Sequence, residues 1–287
     1  MNKDNSSKRL EELKENSRTT EENDEEEKSL GNPKRDEFQP TMEILFGKRE
    51  LKFDNIDAIF EKLKTPEKPE IHSTFGKEVV YIYHSHSRES FLPFFKGTFE
   101  PEEAYHSIAN ITLVGEMLGR AVENQGIGTD VDTSDIVHLL NTSNLDYSSS
   151  YKVSREIVIK AQDENKDLEY FIDVHRDSLR KENTTIDING LNYARLLFVV
   201  GNGHANFEKN LTFAKELQAL LDISYPGLSK GILQKSSLHG NGIYNQDLSP
   251  NSIILEIGGV DNTIEELDRS TEAFATVLSN YYWQRKE

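Results

Sequence analysis

Apolar and polar positions divide this chain into an unpatterned stretch and a patterned one. Residues 1–40 hold almost no large apolar side chains and include the run Glu21-Glu22-Asn23-Asp24-Glu25-Glu26-Glu27. Such a segment cannot bury enough surface to offset its chain entropy and reads as a disordered acidic tail, either a solvating spacer or an interaction tail. Leu10 and Leu13 support at most a transient helix. Residues 41–75 form a lead-in: Met42-Glu43-Ile44-Leu45-Phe46 predicts a short strand ended by Gly47, and Pro66 and Pro69 break the chain before the main domain.

From residue 76 the texture changes. Val79 to Tyr83, Leu168 to Val174, Tyr193 to Val200 and Ser252 to Ile257 are short β-rich apolar runs, as buried strands require. Between them, apolar residues recur at spacings of three and four. These predict helices over 104–124 (Ala104, Ile108, Ile111, Val114, Leu118, Ala121, Val122), 150–165, 206–222 and from Ile264 to Leu278. Gly126 and Gly128 follow the first of these as a stop signal. Alternating strands and helices over 76–287 predict one α/β domain with a twisted parallel or mixed sheet flanked by helices.

Composition narrows the chemistry. The chain has no cysteine, which excludes disulfides, thiolate-bound metals and a thiol nucleophile; any metal site must use His, Asp or Glu. A formal net charge of −17 argues against nucleic acid as the main partner, because phosphate backbones reward clustered Lys and Arg. No run reaches the roughly 18 apolar residues of a membrane span, and the charged N-terminus is unlike a secretory signal. The route to any extracellular substrate is therefore left open.

Functional groups in such sheets gather at the carboxyl ends of strands. One strand runs into His84-Ser85-His86-Ser87-Arg88-Glu89, a second ends Asp173-Val174-His175-Arg176-Asp177, and a third carries a lone carboxylate, Glu256, inside an apolar run. A strand-embedded Glu is costly to bury without a partner. Two histidines and a carboxylate at strand ends suggest a metal centre with an acid–base residue. Of the eight histidines, His86 and His175 are the best placed ligands and His106, near a predicted helix start, is the best third, with Glu256 as base. His84 is a neighbour or a rival ligand. His138 reads as packed or surface, Gly201-Asn202-Gly203-His204 as a turn, and His239-Gly240-Asn241-Gly242 as a flexible loop.

Five blocks, in order, carry a resemblance: Val80 to Pro93, Asn110 to Gly115, Asp173 to Ser178, Tyr244 to Pro250 and Leu255 to Asn262. Together they closely resemble the stage II sporulation protein P family, itself similar to zinc-dependent N-acetylmuramoyl-L-alanine amidases. The resemblance implies an amidase-like domain, a Zn2+ cofactor and peptidoglycan as substrate. It places the ligands on His86, His106 and His175, with His106 standing where the wider amidases use Glu and Asn110 in their Asn position. Glu256 falls in the catalytic position. The implied reaction is zinc-assisted attack of water on the amide between N-acetylmuramic acid and L-alanine, with Glu256 taking the water's proton and passing it to the leaving amine.

Around that core, Asp173 would orient His175 or bind a loop amide. Arg88 and Arg176 would hold stem-peptide carboxylates or pair with Glu89 and Asp177, and Glu89 is itself a candidate to support the ligands or touch the substrate. Asn245 and Gln246 would bind peptide amides or backbone. The other readings are a non-catalytic sporulation or wall-binding scaffold and a zinc endopeptidase or carboxypeptidase acting on stem peptides. The anchored family works with a lytic partner of the stage II sporulation protein D type. This chain shows no anchor of that kind, so a soluble form acting in mother-cell lysis is the corresponding expectation.

Overall fold

Three of the apolar runs become parallel neighbours in one sheet: β1 (Glu78–Tyr83), β3 (Tyr170–Asp177) and β8 (Ser252–Gly259). The computed structural model describes residues 38–53, 56, 74–238 and 240–286. All but the last three positions of the expected tail lie outside the described residues, as do His72 and His239. With β2 (Gly128–Val131), β6 (Leu196–Gly201) and β7 (Ser229–Lys235), the sheet runs in the order β2-β1-β3-β8-β6-β7. β2, β1, β3 and β8 are parallel; β6 pairs antiparallel with β8 and parallel with β7, so the sheet is mixed. After the one-turn α5 (Lys181–Thr184), a separate hairpin joins β4 (Thr185–Ile188) to β5 (Leu191–Ala194) through Asn189 and Gly190, both at positive φ, as a tight two-residue turn demands.

Each face of the sheet has its own cover. On the back, Val80, Ile82, Ile172, Val174, Ile253 and Leu255 pack against α2 (Ile111–Asn124), α6 (Phe207–Ser224) and α7 (Ile264–Lys286). Each fully buried aliphatic side chain in this layer contributes about 1.5–3 kcal/mol. On the front, Val158 of α4 (Ser150–Glu164) packs on Tyr81, Tyr83 and Phe171. A satellite cluster gathers Leu45 of α1 (Met42–Phe46), Tyr105, Tyr147 and α3 (Ile136–Thr142).

Several expectations need correction. Met42–Phe46 is a helix, not a strand: Thr41 accepts from the Ile44 amide as its cap, and Gly47 ends it. The helix expected from residue 104 begins only at Ile111. The intervening backbone is committed elsewhere, because Tyr105 bridges to Glu89 and the His106 amide donates to the Arg88 carbonyl. Asn110 then caps α2, its side-chain oxygen accepting from Thr112 N at 2.9 Å. The expected strand Tyr193 to Val200 is split at Arg195, whose amide donates to Thr184 and whose carbonyl accepts from Gly258.

Candidate metal centre

β1 and β3 end at the same edge of the sheet, and the turn after β1 folds back over the end of β3. Glu89 N donates to His86 O at 3.1 Å, a tight turn that brings both side chains to one side. His175 on β3 stands in register with Glu256 on β8. The front of the sheet therefore holds Asp173, His175 and Glu256 beneath a turn carrying His86 and Glu89.

Three side chains converge. His86 Nδ1 lies 3.5 Å from Glu89 Oε1, and His175 Nδ1 lies 3.4 Å from Glu89 Oε2. All three residues are buried, and their donor atoms lie within 4.8 Å of one another. Asp173 Oδ1 lies 3.1 Å from His175 Nε2 and accepts from the Ser85 amide at 2.8 Å, while Ser85 Oγ lies 2.9 Å from the same Nε2. His175 is thus gripped on both nitrogens, with Nδ1 turned to Glu89. Tyr147 stacks on the His86 ring at 4.8 Å, and Tyr151 lies against both imidazoles.

The charges fit this geometry. Burial opposes charge on His175, but Asp173 and Glu89 override it and raise the imidazole well above its ordinary range. Burial likewise works against the Glu89 carboxylate, and His175, His86 and Arg176 together hold it well below the carboxylate range. Glu256 keeps partial exposure, yet burial pushes its carboxyl up to about 7, with Asp177 adding and Lys235, Lys230 and His175 opposing. Two imidazole nitrogens and one carboxylate oxygen facing a common point make a donor set suited to zinc, with room in its coordination for water. The outer carboxylate on His175 is the usual orienting partner for such a ligand. The order Ser85–His175–Glu89 also has the layout of a nucleophile relay. Ser85 is, however, 0% exposed, beyond the reach of any substrate.

The remaining expected site residues fall elsewhere. His106 does not join the donor group: its Nδ1 accepts from the Ile108 and Ala109 amides at 3.1 and 2.9 Å and so caps the loop before α2. Glu89 occupies the third corner instead. His84 points away into the interior, with Nδ1 2.9 Å from the Asp132 carbonyl, and burial pushes it down to about 4. Arg88 does not pair with Glu89: it forks onto Asp135, with Nη2 2.7 Å from Oδ2, and donates to the Leu45 carbonyl.

Arg176 donates to the Ser90 and Ala104 carbonyls, clamping the turn, while the Asp177 carboxylate pairs with Lys230. Asn245 donates to Ser154 Oγ, and Gln246 bonds both the Gly201 amide and the Val199 carbonyl. Both are structural, and neither presents its amide to a peptide. His138 is exposed, the second of its two expected readings; of the expected turn, Gly201 instead closes β6, and Gly203 and His204 form a bend. Sequence reasoning missed Ser85, Tyr147, Tyr151, Asp135 and Lys230. For Glu89 the signal was present, since a three-residue spacing from His86 within a turn brings the two side chains together.

A mixed α/β sheet with a buried His–Glu–His donor set at its strand ends and a carboxyl on the adjoining strand defines an architecture suited to a metal-centred hydrolase. The family profile described as Stage II sporulation protein P (SpoIIP) matches residues 1–279. The stage II sporulation protein P of Bacillus subtilis (strain 168) is 46% identical over 252 residues, covering 88% of this chain. This chain belongs to the stage II sporulation protein P family. It spans 63% of the length of that Bacillus relative.

Among solved structures, it is similar to an N-acetylmuramoyl-L-alanine amidase from Clostridium difficile 630 (16% identity, 73% of this chain and 96% of that one, TM-score 0.41). It is also similar to the CwlD amidase from Clostridioides difficile, solved in complex with the GerS lipoprotein (13% identity, 73% and 100%, TM-score 0.46). A third likeness is a metallo-carboxypeptidase from Burkholderia cenocepacia (13% identity, 74% and 58%, TM-score 0.43). These are partial likenesses, and the residue assignments rest on the geometry above.

Proposed function

We propose that this chain is a zinc-dependent peptidoglycan hydrolase that cuts the amide between N-acetylmuramic acid and L-alanine during sporulation. The observation that carries the reading is the convergence of His86, Glu89 and His175 beside Glu256. These three residues would hold zinc, in place of the His86, His106 and His175 set expected from sequence. Zinc held there would supply a Lewis acid that acidifies water and polarises the scissile carbonyl.

The chain's own groups do the rest. Asp173 and Ser85 fix the His175 ring, so Nδ1 keeps its aim at the centre. Glu256, in register beside His175, takes a proton from the attacking water and delivers it to the leaving amine. Burial raises this carboxyl, which favours its holding the proton between acceptance and delivery. A lytic partner of the stage II sporulation protein D type belongs to the same reading.

The test is release of stem peptides bearing a new L-alanine amino terminus from purified peptidoglycan. Glu256→Gln is expected to cut the rate by about 10²–10⁴-fold while keeping the metal. New termini elsewhere in the stem would overturn the assigned bond, and undiminished turnover by Glu256→Gln would overturn the assigned base.

A further inference from the structure

The front of the sheet is covered unevenly. α4 closes it over β1 and β3, and Tyr151 and Tyr244 close it over Val199 and Ile254. Next to these, Leu197 on β6 and Leu233 on β7 remain partly exposed, beside the partly exposed Glu256 that pairs with Leu197. α6 packs on the opposite face through Phe213 and Leu217.

β7 is one of the two edge strands, and its pairing with β6 slips: Leu196 pairs with Ser229, but Phe198 pairs with Ile232. Lys230 and Gly231 thus share one position opposite Leu197, with Gly231 at φ +108°. Such a bulge re-aims a side chain. Here it sends Lys230 toward the carboxyl ends of β8 and β3, where Nζ meets Asp177 Oδ2 at 2.5 Å with the lysine side chain only 16% exposed. Leu197 pairs on its other side with Glu256, so Lys230 stands at the level of that carboxyl. An ammonium carries three donors, and a single carboxylate oxygen engages one.

We propose that Leu197, Leu233 and Lys230 form a substrate subsite that holds a free carboxylate on the peptide portion of the substrate. The proposal rests on the peptidoglycan reading above and adds to it a preference for acidic over amidated stem peptides. Lys230, fixed by Asp177 before the substrate arrives, loses little side-chain freedom on binding. The apolar floor takes the peptide's aliphatic carbons.

The test uses the full chain carrying Glu256→Gln, so that binding is read without turnover. Two synthetic stem peptides, identical except that side-chain carboxyls are free or amidated, are titrated by calorimetry. The free acid is expected to bind about tenfold tighter, as a charge-assisted contact should, and less so at high salt. Adding Lys230→Gln should abolish the preference, and Lys230→Arg should restore most of it. If Lys230→Gln does not fold, Leu233→Asp is expected to narrow the preference, because a carboxylate on the shelf repels that of the peptide. Equal binding of the two peptides, or a preference that survives Lys230→Gln (or Leu233→Asp where the former does not fold), would overturn the subsite. A preserved preference without muramoyl–alanine cleavage by the unmodified chain would overturn the amidase reading and leave the subsite standing.

Discussion

Glu89 faces two imidazoles at once, whereas His106 faces two backbone amides, and replacing them should have opposite consequences. Glu89→Ala is expected to weaken zinc binding by about 10²-fold or more, since it removes the sole anionic donor of the set. His106→Ala should keep the metal and cost about 1 kcal/mol, the price of two uncapped amides. Zinc content and thermal midpoints of the two variants separate these outcomes; metal loss in His106→Ala alone would reverse the assignment.

The charged pair also sets a pH dependence. A raised His175 stabilises the metal-free fold below its unfolded value, and that contribution is lost as pH rises through the higher folded value. A lowered Glu89 stabilises it above the ordinary carboxylate range, and that contribution is lost as pH falls through the lower folded value. Zinc must displace the His175 proton. Near pH 7 its uptake should release about one proton, with affinity rising about tenfold per pH unit below the folded His175 value. Calorimetry in buffers of different ionisation enthalpy measures this, and buffer-independent heats would contradict it. At this scale the sequence was legible for the shared face of Asp173, His175 and Glu256, which follows from period-two alternation along their strands. It was read poorly for Glu89, because turn geometry decides where that side chain goes.

The elements explain why His84 is structural. Gly115 of α2 lies against its ring, and a Cβ there would sit 2.1 Å from His84 Nε2. Gly115→Ala should therefore destabilise the protein by about 1–3 kcal/mol, despite alanine's better helix propensity. That corresponds to a fall of several degrees in thermal midpoint; an unchanged or raised midpoint would show that His84 moves aside freely.

The buried strands β1, β3 and β8 were legible because long apolar runs leave few alternatives. β2, with its sequence Gly-Thr-Asp-Val, has no apolar signature. Met42–Phe46 shows the converse, a five-residue segment, apolar but for Glu43, that suits strand or helix equally until Thr41 caps it. The late start of α2 was hidden because residues 104–110 keep a helical spacing while their backbone pairs with the Arg88–Ser90 turn.

At the scale of the molecule, the centre joins a turn after β1 to the end of β3, two pieces of chain far apart in sequence. Zinc binding should therefore stabilise the whole fold by roughly 4 kcal/mol at a thousandfold excess over its dissociation constant. The net charge of −17 does not oppose this, because an acidic chain attracts a cation rather than repelling it. Charge and composition excluded partners from the sequence, but they carried no information on which acidic residue would complete the site. The most direct measurement follows zinc content together with muramoyl–alanine cleavage of purified peptidoglycan, for the full chain and for Glu89→Ala. The account predicts one zinc per chain with cleavage for the former, and loss of both in the variant. A metal-free, inactive full chain, or a Glu89→Ala protein that keeps zinc and cleavage, would contradict it.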